Sequence, residues 1–103
     1  MRELKFRAWH EEAGEYCDGT TSNMFKWLED GQPVIIEQFT DLHDCNGVEI
    51  YEGDIVDGVG SHVGHSDVFY GYGQWQPFSY LGTYNGSEFK VIGNIHQNPE
   101  LLA

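Results

Sequence analysis

Cations are scarce in this sequence. Its 103 residues carry 5 Lys+Arg against 17 Asp+Glu, a formal charge of −12. Gripping nucleic-acid phosphates or anionic lipid needs clustered Lys and Arg, so neither direct nucleic-acid binding nor membrane contact is expected. Long apolar runs are also missing. No stretch of 18 apolar residues exists, which excludes a transmembrane helix. The opening Met1–Arg7 mixes charge with single apolar residues where a signal peptide would have an apolar block, so a cytoplasmic location is expected. Cysteine is limited to Cys17 and Cys45, outside any CxxC spacing, and both are expected to stay thiols in a reducing compartment. The length itself excludes an enzyme with separate cofactor and substrate modules; residues 1–103 read as a single domain.

What is present suits a small β domain. With 40% hydrophobic and 15% aromatic residues the chain can build a core. Its 13 glycines divide the apolar residues into short groups, which favours strands and turns over long helices. Leu4, Phe6 and Ala8 alternate with Lys5 and Arg7, the period of a first strand ending near Trp9. Residues 10–22 read as a solvated connection. Over 24–39 two readings compete. Met24, Phe25, Trp27 and Leu28 have helical spacing behind Ser22 or Asn23 as a cap, yet Asp30-Gly31 before the β-branched Val34-Ile35-Ile36 favours a hairpin. Asn46-Gly47 predicts a turn into Val48–Glu52, with a bend at Gly53-Asp54 before Ile55-Val56. Glycine-punctuated aromatic segments follow over 63–72 and 74–84, then a last strand over Glu88–Ile95 and a short helical turn opened by Asn98-Pro99. The expected architecture is mainly β: a small bent sheet or SH3-like barrel over 48–95, an N-terminal strand or hairpin, and a C-terminal helical turn. Ile50, Ile55, Val56, Val91, Ile92 and Ile95 are the expected core.

Three blocks carry a resemblance: Lys5-Phe6-Arg7-Ala8-Trp9; Gln38-Phe39-Thr40 and Leu42 with Asp44 through Val56; and Val91-Ile92-Gly93-Asn94-Ile95 with Asn98-Pro99-Glu100-Leu101-Leu102. In this order they resemble the YopX family of small phage and prophage proteins. The resemblance implies a phage-encoded protein of the host bacterial cytoplasm that contains β structure and self-associates, and it brings no established activity. The chain departs from the family pattern at three places. His10 stands where Asp is usual, Asp41 where Gly is usual, and His43, Cys45 and Val48 flank the Asn-Gly turn where lysines are frequent. The second departure puts the geometry of the turn at Asp41 in question.

Local chemistry is sparse. His62, His65 and Asp67 form the best candidate metal set, but His residues three apart converge on a helix, and Gly60 and Gly64 argue for a loop of exposed histidines. No metal and no cofactor are expected. No nucleophile elbow or phosphate-binding loop occurs, and carboxylates are too many for their number to mark a catalytic pair. Asp54 is expected to hydrogen-bond a turn backbone. The aromatic run around Tyr70, Tyr72, Trp75, Phe78 and Tyr80 suits a core, a subunit interface or a recognition patch, since Tyr and Trp are enriched at interfaces. Glu49, Glu52, Asp54 and Asp57 make a candidate acidic patch. The leading expectation is a non-enzymatic accessory protein that assembles with itself or binds a host protein. Its rivals are an acidic DNA mimic acting in counter-defence and a metal-dependent hydrolase or small-nucleotide-binding protein.

Overall fold

The alternation over residues 4–9 becomes strand β1, Phe6–His10, which places Ala8 and Trp9 in the interior. The structure, a computed structural model, describes residues 4–17, 21–58, 64–78 and 86–102. After β1 come β2 (Glu15–Cys17), helix α1 (Thr21–Glu29), β3 (Val34–His43), β4 (Glu49–Tyr51) and β5 (Asp54–Gly58). β6 (His65–Asp67), β7 (Phe69–Gly71), β8 (Gln74–Gln76), β9 (Phe89–Asn94) and a 3₁₀ turn (Pro99–Leu102) complete the order. The fold is mainly β, as expected, and every strand pairing is antiparallel. The strands lie in the orders β2-β1-β3-β4, β6-β5-β9 and β7-β8, curled into a half-barrel.

Two expectations are corrected. The hairpin over 24–39 is instead α1 followed by β3. Asp30-Gly31 ends the helix: Gly31 takes φ 80°, its N–H donates to Leu28 O at 3.2 Å, and Gln32 N–H donates to Trp27 O at 3.0 Å. That pair of bonds is a Schellman cap, and the left-handed residue it needs is most cheaply a glycine. The same dipeptide closes hairpins, so tertiary packing decided between the two. Met24 is buried, and Phe25 meets the Phe6 ring edge-on at 5.6 Å. The solvated connection over 10–22 contains β2, paired Ala8↔Cys17 to Glu15↔His10 along β1.

In β3 the questioned position adopts a left-handed backbone although it is not glycine. The register to β4 slips between Phe39↔Tyr51 and Leu42↔Ile50, a bulge whose residue Asp41 takes φ 69°. The Thr40 hydroxyl repairs the ladder there, donating to Ile50 O at 2.8 Å and accepting Leu42 N–H at 3.1 Å. Asp tolerates the left-handed region better than most residues, at a strain of about 1 kcal/mol.

The main core gathers Ile50, Val56, Val68, Trp75, Phe78 and Phe89, with Leu42 and Val91 against it. Phe78 and Phe89 meet edge-to-face at 5.0 Å. Burying each such side chain contributes about 1.5–3 kcal/mol. Ile50, Ile55 and Val56 are interior as expected, whereas Ile95 is 37% exposed and rims a groove described below. Asp44 staples the Asn46-Gly47 turn to β9: Oδ1 accepts Asn46 and Val48 N–H at 2.8 and 2.9 Å, and Oδ2 accepts Val91 N–H at 2.9 Å. Cys17 and Cys45 are both free thiols. Among the described residues no helix is long and apolar enough to cross a membrane.

Candidate functional site

β1 and β3 set Arg7 directly opposite Glu37. The guanidinium donates through Nε to Glu37 Oε1 and through Nη2 to Asp54 Oδ1, both at 2.8 Å, with a longer bond to Glu52 O at 3.2 Å. Its centre lies 4.4 Å from the Tyr16 ring and 4.7 Å from the Tyr51 ring, so the cation also has aromatic faces against it. Glu37 is 3% exposed and accepts twice more, from the Tyr16 hydroxyl at 3.0 Å and from His96 Nε2 at 2.8 Å. A carboxylate only accepts, so His96 Nε2 carries the proton. The His96 ring stacks on Trp9 at 4.6 Å and 8°. Asp54 completes the network by accepting Tyr51 N–H at 2.8 Å, the turn contact expected of it.

Gly53 makes this closeness possible. It takes φ 87°, and a Cβ there would lie 2.9 Å from Glu37 Cδ and closer still to Oε2. Its N–H donates to Val68 O and its C=O accepts Ile95 N–H, both at 2.9 Å. The network therefore joins β1, β2, β3, β5 and the segment after β9 at one point.

The electrostatics follow from burial and proximity. Burial lowers the Arg7 pKa, but the charges of Asp54 and Glu37 outweigh it and the net shift is upward, so Arg7 stays charged. Burial raises Asp54, and the opposing pull of Arg7 does not fully cancel it. Burial also raises Tyr16, with Glu37 adding to it, and its phenol stays protonated. Chemically the cluster is a clasp in which each charge is satisfied by another. Glu37 and His96 have no local signature, because the partners of Glu37 lie 30, 21 and 59 positions away.

The predicted interaction residues separate. Trp75 (3% exposed) and Phe78 (0%) belong to the core, so little of their area is open to a partner. Tyr70 and Tyr72 are 58% and 96% exposed on the β7–β8 hairpin, with Tyr70 edge-on to Trp75 at 5.2 Å. Tyr80 lies outside the described residues. The acidic patch does not form a free row. Asp54 is buried against Arg7, Glu49 is bound to Lys5, and Asp57 faces His65 across β5–β6 at 3.7 Å. Among those four, Glu52 alone has no ion-pair or histidine partner in the described residues. His62 lies outside the described residues, and His65 Nδ1 sits 3.3 Å from Leu101 O. Among the described residues no group of three or more His, Cys, Asp or Glu side chains is placed to hold a metal.

Two surface hollows flank Glu52. One, of about 200 Å³, lies between β3 and the β6–β7 link and is walled by Ile35, Val68, Phe69 and Ile95, with Glu37, Glu52 and Asp67 also lining it. The other, of about 370 Å³, lies between Gln38, Glu52, Tyr70 and Trp75. Beside them the β7–β8 hairpin turns through Tyr72 at φ 56° and Gly73 at φ 78°, two successive positive-φ residues as in a type I′ turn.

The YopX protein family profile matches residues 21–103. A crystal structure of protein EF1440 from Enterococcus faecalis is similar to this chain with a TM-score of 0.69 and 27% identity, covering 100% of both chains. No curated protein matches the sequence.

Proposed function

The chain belongs to the YopX family, and on that premise we propose that it is a phage- or prophage-encoded accessory protein that works by binding another protein rather than by catalysis. The β7–β8 hairpin carries this reading. Asn, Asp and Gly suit a type I′ turn, whereas a tyrosine at positive φ costs about 1–2 kcal/mol. Tyr72 is 96% exposed and recovers none of that by burial. A strained aromatic ring presented to solvent is accounted for by contact with something outside the chain, where Tyr is among the strongest anchors.

The clasp supports the same reading, because Arg7, Glu37, Asp54 and His96 are engaged with one another. The partner is a host protein with a basic surface rather than a second copy. Two chains of charge −12 repel, while a basic surface is steered toward this one. Mimicry of DNA is the weaker alternative, since the candidate row Glu49, Glu52, Asp54 and Asp57 is broken up by internal pairing.

Affinity purification of tagged protein from the bacterial host tests the reading, with a Tyr70→Ser/Tyr72→Asn variant alongside. Asn suits the turn, so the variant stays folded. A host protein enriched by the wild type and lost with the variant is expected; equal recovery by both would contradict the role of the hairpin.

A further inference from the structure

We propose that the groove beside Gly53 receives one long basic side chain, Arg or Lys, projecting from an extended segment of the protein partner. This rests on the protein-binding reading above and names the chemistry of one contact within it.

The groove has an apolar body and an acidic lining. Ile35, Phe69 and Ile95 form a rim left 38%, 42% and 37% exposed, and Val68 closes the interior. Glu37, Glu52 and Asp67 also line it, and none of the lining residues is Lys, Arg or His. Glu37 is already satisfied by Arg7, Tyr16 and His96. Glu52 Oε1 accepts one long bond, 3.3 Å from Gln38 N–H, and the Asp67 carboxylate has no hydrogen bond from the described residues. Two carboxylates with spare acceptor capacity thus sit at an apolar slot. The matching chemistry is an alkyl stem ending in a cation, which is the form of Lys and Arg.

Size and charge narrow the occupant. About 200 Å³ is smaller than the 300–1,000 Å³ typical of small-molecule and cofactor pockets, and suits a single side chain. A second copy is a poor donor of that side chain. Two chains of charge −12 repel, and of the 5 Lys+Arg only Arg2, Lys26 and Lys90 remain beyond Lys5 and Arg7, which are bound to the chain's own carboxylates.

The test is an amide chemical-shift titration of the full chain with the peptide acetyl-Gly-Leu-Arg-Leu-Gly-amide. Matched peptides carry citrulline or Leu at the centre; citrulline keeps the shape of Arg without its charge. The expected result is movement of the Ile35, Gly53, Val68 and Ile95 amides with the Arg peptide. Binding should weaken at least tenfold for citrulline, and be lost in a Glu52→Gln/Asp67→Asn chain whose spectrum remains folded. Equal binding of the citrulline peptide, or shifts confined to residues outside the groove, would overturn the proposal. The pull-down with the hairpin variant reads Tyr72 and the peptide titration reads the groove, which Tyr72 does not line. Failure of the hairpin reading and failure of the groove are therefore distinguishable.

Discussion

Glu37 occupies the space that a side chain on residue 53 would need: a Cβ on Gly53 would stand 2.9 Å from the Glu37 carboxyl carbon. The glycine that admits Glu37 is also where the chain bonds to Val68 on one side and Ile95 on the other. Two constraints, close approach and positive φ, coincide at one position in the middle of the fold.

Gly53→Ala is accordingly expected to destabilise the protein by more than about 2 kcal/mol, through steric overlap and a strained φ together. Urea denaturation measures it. Adding Glu37→Ala removes the overlap but leaves the strain, so the double variant should not return to the stability of Glu37→Ala alone. A loss below about 0.5 kcal/mol for Gly53→Ala would mean that the backbone relaxes freely here.

Arg7→Met removes the cation between Glu37 and Asp54, leaving Asp54 buried without its ion-pair partner and Glu37 with only its Tyr16 and His96 donors, a loss of about 3 kcal/mol near neutral pH. The pH dependence identifies the cause. Burial already raises the Asp54 pKa and the loss of its cation raises it further, so the folded state binds more protons and stability is regained as pH falls through that value. Denaturation of the variant at several pH values should show its deficit narrowing toward acid; a constant deficit would point to lost packing alone.

Much of this arrangement was legible in the sequence, and its limits are physical. Alternation over residues 4–9 predicts β1, the Gly53-Asp54 bend predicts the bond of Asp54 to a turn backbone, and Asn98-Pro99 predicts the terminal 3₁₀ turn. These are signals between near neighbours. Asp30-Gly31 was ambiguous because a helix cap and a hairpin turn both need a left-handed glycine, and only the packing of Met24 and Phe25 distinguishes them. Glu37 was invisible as a clasp residue. In Val34–Phe39 it reads as one polar residue of a strand, and its cation, phenol and imidazole come from three distant segments. The aromatic run separated into buried and exposed members through tertiary contacts that composition does not encode.

Asp41→Gly should stabilise the protein by about 0.5–1 kcal/mol. The residue has φ 69° in the β3 bulge, and glycine removes the left-handed strain while adding some unfolded-state entropy. Thermal unfolding detects a shift of a few degrees. Destabilisation instead would assign the Asp41 side chain a contact of its own.

Asp44 predicts the opposite pH behaviour from Arg7→Met. Burial raises its pKa, but the N–H groups of Val91, Val48 and Asn46 outweigh burial and hold it below the usual carboxylate value. A depressed folded pKa gives stability that is fully present above the unfolded pKa, about 4, and is lost as pH falls through the folded value. The wild type should therefore exceed Asp44→Asn in stability near neutral pH, with the gap closing below about pH 4. A gap unchanged down to low pH would show that the Asp44 charge contributes nothing.

The central claim, that the exposed hairpin is where another protein binds, is tested most directly by photo-crosslinking in the host from position 72. A photoreactive phenylalanine replaces Tyr72 in one chain and the exposed Asn46, on a different turn, in another. The account predicts a discrete adduct between this 11.7 kDa chain and a host protein from position 72 and none from position 46. No adduct from position 72, the same adduct from both positions, or only an adduct of twice the chain's own mass would contradict it.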